Sequence, residues 1–180
     1  MMKRISKFIL KLFGWRIVNV LPDVPKCVIA VAPHTSNLDF AMGKLTYWAL
    51  GRNAKFLIKK EWFVFPLNII FRVLGGIPVV RDKNTSLTDA LAEEFRRRDK
   101  LQIAVTPEGT RKQVDEWKKG FYFIALKAQV PILLAGLDYK KKEIVFFDLF
   151  HPTGNLDEDM KIIQGYYRDV QGRHPQNFNS

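Results

Sequence analysis

One cysteine stands in 180 residues, so no disulfide can close within the chain. Cys27 sits inside the apolar run CVIAVA (27–32). Its flanks read it as a buried core residue of a reducing compartment rather than a nucleophile. Histidines are nearly as scarce: His34, His151 and His174, with no HxxxH or CxxC spacing, so no metal is expected. The GxSxG pattern of a serine nucleophile elbow is absent. No apolar run approaches the ~20 residues of a spanning helix. The nearest, WFVFPLNIIF (62–71), contains Pro66 and Asn68. Lys11 and Arg16 interrupt any secretory h-region. Acidic residues are missing chiefly from the first third. Residues 1–60 carry 11 Lys+Arg against 2 Asp+Glu, residues 61–120 carry 11 against 9, and residues 121–180 carry 7 against 7. The net charge of +11 is thus an N-terminal feature. It points to an anionic partner there: a membrane surface, a phosphorylated substrate or nucleic acid. No nucleic-acid-binding motif accompanies it, so a nucleic-acid partner is not expected.

What the first third does contain is an amphipathic stretch, MMKRISKFILKLFGWRIV (1–18). Ile5, Phe8, Ile9, Leu12 and Phe13 fall on one helical face, and Lys3, Arg4, Lys7 and Lys11 lie largely off it. Trp15 follows, a residue suited to the headgroup level. The pattern predicts a helix lying in a membrane interface and attracted to anionic lipid. The competing reading is a helix packed on the domain's own core with a basic outer face.

Beyond residue 18 the chain reads as one domain of 180 residues without repeats or linkers. Strands are expected at 27–32, 55–58, 77–80, 101–106, 132–136 and 144–150. Helices are expected at 37–50, 62–74, 86–98, 120–128 and 160–170, with a frayed tail. Strands that are continuous apolar runs, alternating with helices, predict an α/β fold: a mostly parallel central sheet covered by helices on both faces and preceded by the N-terminal amphipathic helix. Sites in such sheets lie beyond the carboxyl ends of the strands.

Two polar loops lie there. VAPHTSNLDF (31–40) follows the strand at 27–32 and carries His34 and Asp39. On one straight helix, residues five apart are separated by about 140° of rotation, so the two meet only if His34 is in the turn and Asp39 in the first helical turn. Asp39 would then hold one ring nitrogen and leave the other free as a base. Ser36 and Asp39 also have capping-box spacing, so Asp39 has a purely structural reading. The second loop, TPEGTRK (106–112), combines a turn glycine with Arg111 and Lys112, which suit an anionic oxygen. GGIPVVRDK (75–83) places Arg81 at the end of a third strand.

Taken in this order, the segments resemble the glycerolipid acyltransferase family typified by 1-acylglycerol-3-phosphate acyltransferases. His34 to Asp39 matches its HxxxxD block. GGIPVVR with Arg81 matches the second block, PEGTR (107–111) the third, and Val130-Pro131-Ile132 the fourth. FLIKKEWF (56–63) resembles the lysine-containing stretch between the first two blocks. The resemblance implies that His34 is the base and that Asp39 holds its tautomer. It also implies that Arg81 and Arg111, with Lys59, hold an acceptor phosphate, that Glu108, Gly109 and Thr110 shape the acceptor pocket, and that Pro131 lies on the acyl side. It implies an O-acyltransferase of phospholipid biosynthesis, with a lysophospholipid acceptor and acyl-CoA or acyl carrier protein as thioester donor, needing no cofactor. Such an enzyme is expected to be peripheral on the cytoplasmic side of the cell membrane. The chain departs from the family at Pro33, where many members carry Asn, at Val80, where Asp is frequent, and in the fourth block, which lacks a second proline. These departures keep open another acceptor, a lyso-aminolipid or other amphiphilic alcohol. A non-catalytic lipid-binding module is the reading of a different class.

Overall fold

A computed structural model describes residues 1–79 and 86–179. The helices are α1 (Met2–Leu12), α2 (Leu38–Leu50), α3 (Leu67–Leu74), α4 (Leu87–Arg97), α5 (Gly120–Ala128) and α6 (Leu156–Gly165). The strands are β1 (Arg16–Val18), β2 (Lys26–Ala32), β3 (Lys55–Lys59), β4 (Gly76–Val79), β5 (Leu101–Val105), β6 (Ile132–Asp138) and β7 (Glu143–Phe150). Single 3₁₀ turns cover Lys60–Trp62 and Pro175–Asn177.

The strands form one seven-stranded sheet in the order β1-β7-β6-β2-β5-β3-β4. Every pairing is parallel except β6 with β7. Parallel neighbours of this kind need helical crossovers, and those helices bury both faces of the central strands. The side chains of β2 divide accordingly. Val28, Ala30 and Ala32 enter a core with Phe95 of α4, Tyr122 of α5 and Ile163 of α6. Cys27 and Ile29 enter a second core with Leu10 of α1, Tyr47 of α2 and Phe146 of β7. In β6, Ile132 and Leu134 join the first core, and Leu133, Ala135 and Leu137 the second. That is why both strands read as unbroken apolar runs. Burial pushes the Cys27 thiol up to about 12, with Asp23 adding to the shift, so the thiol stays protonated and inert.

Four expectations change. The helix expected over 1–18 ends at Leu12, and Arg16–Val18 is instead an edge strand paired with Glu143–Val145 of β7. The helix expected over 62–74 begins at Leu67, after Pro66, with a 3₁₀ turn at its former start. The last helix lies at Leu156–Gly165 rather than 160–170, because Asp157, Glu158 and Asp159 fill its first turn and suit its amino-terminal dipole. The tail is not frayed: it folds back over the loop that follows β2, as described below.

Two elements expose apolar side chains. α1 packs on α2 through Ser6 and Leu10, leaving Ile5, Phe8, Leu12 and Phe13 exposed. The helix thus packs on the domain through one face, as the competing reading expects, and leaves an apolar face open to its surroundings. α3 and its approach bury nothing fully, and Phe65 and Val73 are 80% and 81% exposed. Among the described residues, no helix is long and apolar enough to cross a membrane.

Candidate active site

Pro33 ends β2, and Asn37 caps α2 one turn later. This short connection puts His34 in the turn and Asp39 in the first helical turn. Asp39 is 3% exposed. Its Oδ2 accepts the backbone N–H groups of Thr35 and Ser36 at 2.8 Å each, and its Oδ1 accepts the Tyr139 hydroxyl at 2.6 Å. His34 Nδ1 lies 3.2 Å from Oδ2. With two amides already seated on that oxygen, the ring is its third partner and is not aligned for a full hydrogen bond. The cap and the His34 contact are thus both present in one carboxylate. Burial alone would raise the Asp39 pKa. The contacts of His34, Tyr139 and the Ser36 amide outweigh it and hold the carboxyl below its usual range. The carboxylate is therefore ionised and fixed beside the imidazole.

Glu108 closes the turn from the other side. Its Oε1 accepts the His34 backbone N–H at 2.7 Å, tying the loop after β5 to the loop after β2. The side chain is 2% exposed, and its Oε2 has no hydrogen-bond partner. Burial raises its pKa, with the His34 amide opposing the shift. Gly109 follows at φ +65°, and the Lys118 side chain lies where a Cβ would point, 2.8 Å from that position. A side chain at 109 would be strained by its backbone and would push Lys118 away. Thr110 Oγ1 accepts the Lys112 amide in the same turn. The Arg111 guanidinium donates to Asn37 Oδ1 at the start of α2.

His34, Asp39, Glu108, Gly109, Thr110 and Arg111 therefore converge beyond the carboxyl ends of β2 and β5. Lys59 is the last residue of β3, in register with Val79, and its side chain is outside the described part of the structure. Arg81 lies outside the described residues. Pro131 does not join the cluster. Parallel pairing sets Val28 against Ile132 and Ala32 against Gly136, so Pro131 is level with Cys27, at the opposite end of the sheet. Five strand residues, about 17 Å, separate the two ends. There its carbonyl accepts the Val28 amide. Among the described residues, no three histidine, cysteine or acidic side chains converge as a metal site would require.

The sequence pattern passed over Tyr139, Arg173 and His174. Tyr139 follows β6, rests edge-on against Trp15 with ring centroids 4.9 Å apart, and fixes Asp39. Its own pKa is raised, by burial and then by Asp39, while Arg173 opposes. Arg173 and His174 lie on the returning tail, beside the loop of His34. None of the three belongs to a periodic segment or a motif block.

The chain belongs to the Acyltransferase family, whose model matches residues 18–135. Within that family it is similar to human 1-acyl-sn-glycerol-3-phosphate acyltransferase beta, at 31% identity over 119 residues, 63% of this chain and 41% of that protein. It is also similar to the chloroplastic 1-acyl-sn-glycerol-3-phosphate acyltransferase LPAT1 of Arabidopsis thaliana, at 32% identity over 124 residues, 64% of this chain and 34% of that one. The matched segments thus span less than half the length of these relatives. The fold is that of the 1-acyl-sn-glycerophosphate acyltransferase PlsC of Thermotoga maritima, with a TM-score of 0.62 at 17% identity over 95% of this chain and 80% of that one. Tyr139, Arg173 and His174 all lie beyond the residues that the family model matches.

Proposed function

We propose that this domain moves a fatty acyl group from an acyl thioester to the free hydroxyl of a lysophospholipid, 1-acylglycerol 3-phosphate by its relatives' names, at a bilayer surface. The observation that carries the reading is the buried Asp39 carboxylate held against His34 Nδ1, which leaves Nε2 as the available base. His34 Nε2 takes the hydroxyl proton as the oxygen attacks the thioester carbonyl. The C–S bond then breaks, and the thiolate leaves with the proton that the imidazolium returns. Asp39 stabilises the imidazolium without itself accepting the proton. The reaction needs orientation, a base and charge stabilisation, which protein groups supply without a cofactor. Arg111, with Arg81 and Lys59, would hold the acceptor phosphate. The donor is acyl-CoA or acyl carrier protein.

The exposed apolar faces of α1 and α3, with the N-terminal positive charge, support a peripheral position on anionic lipid, on the cytoplasmic side of the cell membrane. The test is acyl transfer in mixed micelles with labelled thioester. His34→Ala is expected to lower the rate by roughly 10²–10⁴-fold while circular dichroism stays native. Full activity in His34→Ala would remove the base assignment. A wild type that acylates only phosphate-free acceptors would leave the chemistry and replace the acceptor.

A further inference from the structure

Next to the His34 loop the surface opens into a basin of about 540 Å³. Its walls are Thr35, Ser36, Asn37 and Arg111 on one side and Arg173 and His174 of the tail on the other. No carboxylate lines it. Among the described residues, neither arginine nor His174 is ion-paired. Two unneutralised guanidinium groups and an imidazole facing one basin are the chemistry of an oxyanion site.

The tail's placement is built, not incidental. Tyr139 donates its backbone N–H to the Gln171 carbonyl at 2.8 Å. At Gly172 a Cβ would lie 2.8 Å from Thr35 Oγ1 and 3.0 Å from Pro33 Cβ, so only glycine lets the tail approach this closely. The His174 backbone N–H then donates to Thr35 Oγ1 at 3.2 Å, and Phe178 packs against Trp117, ring centroids 6.4 Å apart. These four contacts bring Arg173 and His174 beside a loop some 139 residues earlier in the chain. On the opposite wall Arg111 is steadied by Asn37, a contact that leaves most of its five donors unused. The Thr35 and Ser36 amides are already taken by Asp39, so the charged donors facing the basin are the side chains of Arg111, Arg173 and His174.

We infer that Arg173 and His174, with Arg111, form a phosphate-binding basin that receives a phosphate group of a substrate during transfer. The inference rests on the acyltransferase reading for its ligand, which has two sources: the phosphate of the acceptor headgroup or the phosphates of an acyl-CoA donor. Guanidinium groups contacting a dianion each contribute charge-assisted hydrogen bonds, so one lost arginine is expected to cost about tenfold in apparent affinity.

The experiment uses the full chain, with Arg173→Gln and His174→Gln beside wild type. Inorganic phosphate is titrated while NMR follows the His174 ring and the arginine Nε–H signals. Saturable shifts in wild type that weaken about tenfold in Arg173→Gln are expected. In parallel, kcat/KM is measured for 1-acylglycerol 3-phosphate and for phosphate-free monoacylglycerol, and KM for acyl-CoA. A selective fall of the first relative to the second assigns the basin to the acceptor. A rise in the acyl-CoA KM alone assigns it to the donor. Phosphate that shifts none of these signals, with both variants kinetically like wild type, overturns the inference. If wild type acylates nothing, the acyltransferase reading has failed and the phosphate titration decides the basin by itself.

Discussion

Asp39 is one side chain with two occupations. Its Oδ2 closes the first turn of α2 through two amides and meets His34, and its Oδ1 is held by Tyr139. Tyr139→Phe removes only the last contact and keeps the packing on Trp15. It is expected to destabilise the fold by about 1–2 kcal/mol, since a hydrogen bond to an ionised group is lost. The pH dependence has a definite sign. A carboxyl whose folded pKa is depressed contributes stability that is present above its unfolded value, near 3.9, and lost as pH falls through the folded value. Without Tyr139 the Asp39 pKa rises, so its contribution to stability shrinks and acid unfolding begins at higher pH. Urea unfolding from pH 3 to 8 checks this. An acid-unfolding midpoint that stays in place would make Tyr139 a packing residue only. His34, Asp39 and Glu108 were legible in the sequence because two short polar blocks follow two apolar strands. Tyr139, Arg173 and His174 were not, because a turn and a tail reach the site only through sheet closure.

At the scale of elements, the central strands were legible because burial on both faces leaves no polar position in them. Arg16–Val18 was hidden because Trp15 and Ile17 extend the apolar spacing of α1, and only pairing with β7 shows it to be a strand. The same pairing changes how membrane contact should be tested. Deleting residues 1–18 would remove an edge strand and the buried Leu10, so a loss of lipid binding would be confounded with unfolding. Substitutions at exposed positions avoid this. Phe65→Ser with Val73→Ser removes two side chains that touch little of the protein. Each buried apolar side chain is worth about 1.5–3 kcal/mol, so the pair is expected to weaken binding to anionic vesicles at least tenfold. Thermal stability is expected to stay within about 0.5 kcal/mol of wild type. Vesicle co-sedimentation measures it, and unchanged binding would leave α1 as the lipid-facing element.

For the whole molecule, the two cores meet across β2, and Cys27 lies at that seam with no exposed surface. The folded protein is therefore silent to thiol reagents, and its one thiol becomes a clock. Dithiobis-nitrobenzoate at pH 8 should modify Cys27 only as fast as the sheet opens, with a rate that tracks global unfolding across a urea series. Rapid labelling in native buffer would show that β2 is reached by local opening instead. The same silence makes the natural chain a clean background for probes. A single cysteine placed at position 65 or 73 would take a fluorophore alone and report lipid contact, while the buried thiol, with no second cysteine to compete, needs no removal.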